Sequence, residues 1–213
     1  MLINMEINQK NIESAFYSDG YQLGMQVCIA KFAPEAMNSA ISKMYNSIDS
    51  FIDYLSEFAQ SQNKPIHCSK GCEWCCHQPV FALSFEMDYL TRYIETNFDT
   101  DIKNRIKLQA ENKVKAFGFL SETELLNAKF PCPLLEDGAC LAYSARPMAC
   151  RIYLSSDVNS CLRFFKKPED KNSIPALLNL PLRAGKMMNE GFKAALKTNG
   201  YETKEYRIEE KLV

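Results

Sequence analysis

Between His67 and His77 the chain reads HCSKGCEWCCH, which places Cys68, Cys72, Cys75, Cys76 and both histidines of the protein within eleven positions. On a helix, positions 68, 72, 75 and 76 would share a face, because residues three and four apart are neighbours there. In a turn the short gaps converge as well. Either geometry aims several sulfurs at one region, and gaps of about two to four residues are those with which paired cysteines hold zinc or an iron–sulfur cluster. A second, wider group follows in FPCPLLEDGACLAYSARPMACRIYLSSDVNSCL, with Cys132, Cys140, Cys150 and Cys161 set among prolines and turn residues. The eight thiols allow one four-thiolate centre or two. Adjacent Cys75 and Cys76 diverge as side chains, which suits two metals, a polynuclear cluster, or one ligand beside one supporting thiol.

Other residues around these blocks have definable roles. Arg146 and Arg151 bracket Cys150, with Pro147 stiffening the turn between them, and guanidinium groups there would stabilise thiolates by charge and hydrogen bonding. The alternative for both is ordinary surface pairing. Imidazole is a common zinc and iron ligand, yet the thiols suffice without His67 or His77. Trp74 is expected to shield the site. Cys28 lies far upstream and is expected to be a small buried apolar side chain.

CSKGCEWCC followed by CPLLEDGACLAYSARPMACRIY resembles the YkgJ-type cysteine-cluster proteins, a zinc- or iron-chelating domain family. The matching elements are Cys75-Cys76, Cys132-Pro133, Gly138, Cys140, Tyr143, Arg146-Pro147 and Cys150-Arg151, in that order. The resemblance runs from Cys68 to Cys161 and implies a metal- or cluster-binding module. A relative of that family, the flagellin lysine N-methylase, implies that the module can accompany methyl transfer, but no active site carries over. The gap of three residues between Cys68 and Cys72 is one longer than the family's common spacing, so Cys68 matches less closely. Cys161 lies beyond the core signature.

The elements that must position these residues read as helices. Ile12, Phe16, Leu23 and Val27 recur at roughly helical spacing over residues 7–30, with Gly20 and Gly24 expected to weaken that helix. Pro34 opens a second helix whose apolar residues, Met37, Ile41, Met44, Ile48, Phe51, Leu55 and Phe58, fall at alternating steps of four and three. That stripe is expected to be the buried face of a bundle helix. After PVFAL, Ser84 is the expected cap of a helix from Phe85 to about Asn97. Another helix should follow Asp99 and Thr100, with Lys103, Arg105, Lys107, Lys113 and Lys115 on a solvated, mildly basic face. Residues 130–161 read as loop. Pro181 marks the start of a last helix bearing Met188, Phe192 and Leu196, which stops at Asn199-Gly200. No pattern decides 201–213. The expected fold is a mainly α single domain, with N-terminal helices over 1–66, an irregular cysteine-rich centre over 67–161, and a C-terminal helix and tail over 162–213.

Composition bounds the function. The 213 residues are 46% apolar and 24% charged, with 25 basic against 26 acidic side chains, so charge gives nucleic-acid binding no support. No signal segment or membrane-length apolar run is evident, which predicts a cytoplasmic protein, and nine cysteines in a reducing compartment point to metal rather than disulfides. More than four clustered thiols tip the balance slightly from zinc to an iron–sulfur cluster. Two rival functions stand beside simple metal binding. One is an S-adenosylmethionine-linked enzyme, methylase-associated or radical in type, because Cys68, Cys72 and Cys75 with Trp74 resemble the radical motif. Against the radical type, the residues after Cys76 lack alternating strands and helices and any Gly-Gly pair. The other is a metal-shaped module that docks a protein partner or serves regulation. Triad hydrolysis has no visible basis.

Overall fold

The computed structural model describes residues 2–64 and 66–213, with side chains from Gln9 onward. Three long helices, α1 (Leu2–Ile29), α2 (Pro34–Ser61) and the much later α8 (Asn179–Thr198), form one body. Gly20 and Gly24 do not break α1. They lie where it crosses α8 so closely that a Cβ on Gly20 would sit 2.1 Å from the Met188 carbonyl oxygen. A Cβ on Gly191 would likewise sit 2.0 Å from the Tyr17 carbonyl oxygen. A helical glycine costs about 1 kcal/mol relative to alanine, and here the contact between two backbones offsets it. Val27, Ile41, Met44, Ile48, Phe85, Met188 and Phe192 fill the core of this body. The α2 stripe is buried only as far as Ile48, and Tyr54 and Phe58 in the last turns are exposed.

The cysteine-rich centre rests on a second core, formed by α3 (Ser84–Asn97), α4 (Thr100–Phe117) and the tail. Met87, Leu90 and Ile94 meet Ile106, Leu134, Ala142, Ala145 and Ile208 there, with Cys132, Cys140 and Cys150 packed against them. α4 follows Asp99 as expected, and the Asp99 side chain caps it, accepting a hydrogen bond from the Ile102 N–H at 2.9 Å. Ser84 does not cap α3. It is the first helical residue, and the Glu86 carboxylate instead takes the Leu83 N–H at 3.1 Å.

Short elements replace the expected loop between 130 and 161. β2 (Leu135–Glu136) and β3 (Ala139–Cys140) form a hairpin around Asp137-Gly138, whose positive φ values of 48° and 75° are those of the turn that Asp-Gly favours. α6 (Met148–Ile152) and α7 (Val158–Lys166) follow, and α5 (Glu122–Asn127) precedes the hairpin behind a Ser121–Glu124 capping box. In the undecided tail, β4 (Glu205–Arg207) pairs antiparallel with β1 (Phe81–Leu83), Ala82 opposite Tyr206, and a 3-10 turn over Ile208–Lys211 completes it. The result is the mainly α architecture read from the sequence.

Candidate metal centre

Seven of the eight clustered cysteines line a single cavity of about 460 Å³: Cys68, Cys72, Cys75, Cys76, Cys132, Cys140 and Cys150. Cys68 and Cys72 come from the loop before a 3-10 turn, Trp74–His77, which itself carries Cys75 and Cys76. Two backbone bonds join the first block to the second, from the Cys132 N–H to the Cys76 carbonyl at 2.8 Å and from the Phe130 N–H to the His77 carbonyl at 2.9 Å. Cys140 arrives on β3 and Cys150 on α6. Cys161 does not line the cavity. It is buried on α7, close enough for its charge to act on Cys68 and Cys72. α7 is seated by Phe165, whose ring meets Trp74 and His77 at 5.3 and 4.8 Å. Cys28 is half-buried on α1, directed to the Ala195 carbonyl at 3.6 Å and remote from the cavity.

The two arginines beside Cys150 divide their work. The Arg151 guanidinium is 2% exposed, stacked 4.1 Å over Tyr45 and bonded to the Asp49 carboxylate and to the Ser144 and Arg146 carbonyls. It therefore clamps the Ser144–Arg146 turn to α2. Arg146 lines the cavity and stacks 3.7 Å over Tyr143, and its charge only partly opposes the burial that raises the pKa values of Cys140 and Cys150 and the Cys76 hydrogen bond that raises that of Cys75.

Sequence reasoning missed three supporting residues. Lys113, expected on a solvated face, is 2% exposed. It donates to the Phe130 and Gln78 carbonyls at 3.2 and 3.5 Å and pairs with buried Glu209 at 3.9 Å, tying both cysteine blocks and the tail together. Its place in a run of basic residues concealed it. Glu86 is fully enclosed and accepts from the Met148 and Leu83 N–H groups, the Tyr45 hydroxyl and the Asn189 amide, so one carboxylate anchors the start of α6 to α2, α3 and α8. Burial raises its pKa. Lys186 reaches the cavity from α8, where no pattern in the sequence marks it.

The surroundings of Cys68, Cys72, Cys75, Cys132, Cys140 and Cys150 favour the protonated thiol. Burial pushes Cys68 and Cys132 up to about 11, the latter against the pull of Lys113. The hydrogen bond between Cys75 and Cys76, followed by burial, drives Cys75 far higher. Burial, then the neighbouring Cys132, Cys75 and Cys140, raises Cys150 strongly. A cation entering such a site would displace protons as it binds. All nine cysteines are unpaired. Among the described residues no three His, Cys, Asp or Glu side chains already close round a point as ligands of one ion. The donor set is nonetheless that of a soft-metal site, because several thiols with no carboxylate on the wall suit zinc or iron–sulfur centres and not magnesium or calcium.

A helical scaffold that draws both cysteine blocks around one thiol-walled cavity defines a cysteine-cluster metal-binding protein. The chain belongs to the family described as "Putative zinc- or iron-chelating domain", whose model matches residues 67–174, just over half of the chain. No curated protein matches it, and no solved structure does. The match agrees with the resemblance carried by the cysteine blocks. Among the described residues no helix is long and apolar enough to cross a membrane.

Proposed function

We propose that the cavity holds a thiolate-ligated metal centre, an iron–sulfur cluster in preference to a single zinc ion. Its ligands would come from Cys72, Cys75, Cys76, Cys132, Cys140 and Cys150, with Cys68 and Cys161 at its flank. The observation that carries this reading is the convergence of seven cysteines, from two blocks more than fifty residues apart, on one cavity. One tetrahedral ion needs four thiolates, and the surplus favours a polynuclear centre or two centres. Such a centre would supply a structural cross-link, and electron transfer if it is an iron–sulfur cluster.

The chain's own groups prepare the site. Arg146 offsets thiolate charge, Arg151 fixes the turn that presents Arg146 and Cys150, and Lys113 holds the two blocks in register. One domain over residues 1–213 fits this reading, because α1 and α8 pack together from opposite ends of the chain. A cytoplasmic setting fits too, where unpaired thiols persist. A radical S-adenosylmethionine enzyme gains no support from an architecture of α-helices and two two-stranded sheets among the described residues.

Anaerobically purified protein should contain stoichiometric iron with sulfide, or zinc, by elemental analysis, with visible absorption in the iron case. Cys75→Ser and Cys132→Ser should each lower that content at least twofold. Protein that stays free of iron and zinc after reconstitution would refute the reading.

A further inference from the structure

The same cavity has features beyond those a metal centre needs. Its volume, about 460 Å³, lies inside the range of roughly 300–1,000 Å³ typical of small-molecule sites. The centre proposed above belongs to the sulfur-bearing part of the wall, and the apolar part supplies it no ligand. Away from the cysteines the wall is apolar, with Pro79, Val80, Phe81, Leu134, Leu154 and Ile208. Two cations reach it, Arg146 on the wall and exposed Lys186 from α8, and no Asp or Glu lines it. Neither cation has an ion-pair partner among the described residues. The Arg146 Nε is also buried without a hydrogen-bond partner there. Even with its charge set against the thiolates, Arg146 keeps a buried N–H with no acceptor, which is costly, and a few polar groups in an apolar pocket are what fix a ligand's orientation.

We propose that this cavity receives, beside its metal centre, a small organic anion: a carboxylate or phosphate on an apolar body, drawn in by Lys186 and seated against Arg146. The apolar wall takes the body and the two cations take the acid group. The proposal builds on the metal reading, since it assigns the sulfur-bearing wall to the metal, and the experiment lets the two fail separately.

The test titrates the full-length protein with 8-anilinonaphthalene-1-sulfonate, an apolar body with one anionic group, and with uncharged N-phenyl-1-naphthylamine. Fluorescence gives affinity and stoichiometry, and elemental analysis gives the metal content of every sample. One sulfonate probe should bind per chain, more tightly than the neutral probe. Lys186→Glu, at an exposed position, should weaken the sulfonate about five- to tenfold, the scale of reversing one solvent-exposed charge contact, and leave the neutral probe and the metal content unchanged. Ala149→Trp, which fills the cavity, should abolish binding of both. Equal sulfonate affinity in wild type and Lys186→Glu, no preference for the charged probe, or undiminished binding in folded Ala149→Trp would each overturn the proposal. A charge-dependent probe site in protein that takes up neither iron nor zinc would sink the metal reading alone. Metal-loaded protein without charge dependence would sink the anion site alone.

Discussion

Replacing Arg151 with methionine separates a scaffold role from a role on the sulfurs. The methionine keeps most of the apolar bulk over Tyr45 and removes everything the guanidinium does. Two carbonyls, of Ser144 and Arg146, lose their donors in a partly buried turn, at about 1 kcal/mol each. The Asp49 ion pair adds less than about 1 kcal/mol, because the Asp49 side chain is 40% exposed and rehydrates. The stack on Tyr45 at 4.1 Å, away from water, adds about 1 kcal/mol. Arg151→Met should therefore cost about 3 to 4 kcal/mol, a large part of a typical domain's stability, and lower the Tm by roughly 10 °C for a chain of this length. Arg151→Lys keeps the charge but not the planar set of donors, and should recover only about 1 kcal/mol. Denaturant titration of metal-loaded protein measures both, with Arg146→Gln as the contrast, which should lower metal content while changing stability by less than about 1 kcal/mol. A cost below about 0.5 kcal/mol for Arg151→Met, combined with loss of metal, would refute the clamp and put Arg151 on the thiolates.

Other expectations test the remaining structure. Gly191→Ala places a methyl group 2.0 Å from the Tyr17 carbonyl oxygen, so α1 and α8 must separate, and thermal unfolding should show a loss of about 3 kcal/mol or more; an unchanged Tm would contradict the crossing. Glu86 holds its proton more tightly folded than unfolded, so its contribution to stability is full below the unfolded value near about 4.3 and is lost as pH rises through the raised folded value. Wild-type stability minus that of Glu86→Gln should accordingly fall across that window and level off above it, and a rise would show the carboxylate to be favoured by its four donors. Stripping metal with a chelator should remove hydrogen-exchange protection from 67–78 and 130–150 and leave α1 and α8 protected, whereas uniform loss along the chain would show that the centre holds the whole fold.

Much of this protein is written locally. Cysteine spacing is a short-range signal, and it gave the class of chemistry before any coordinates, as the match over residues 67–174 bears out. Apolar periodicity located α2 and α8, the stretch after Ser84 located α3 although Ser84 is not its cap, Asp99 located the start of α4, and Asn199-Gly200 located the end of α8. Contacts between distant segments leave no such period. Gly20 and Gly24 look like helix breakers until α8 is laid against them, and Lys113 looks solvated until Glu209 and the carbonyls of Gln78 and Phe130 close over it. Arg146 and Arg151 both flank Cys150, four residues before it and one after, yet one reaches the cavity and the other Asp49, because Arg146 lies on the turn before α6 and Arg151 on α6 itself. The tail showed no pattern at all, since a three-residue strand acquires its identity only from a partner, here β1, more than a hundred residues earlier. Sequence alone thus determined which atoms are available to bind a metal. Only the tertiary structure decided which of them share a cavity, because that depends on packing between residues too far apart in the chain for spacing to record.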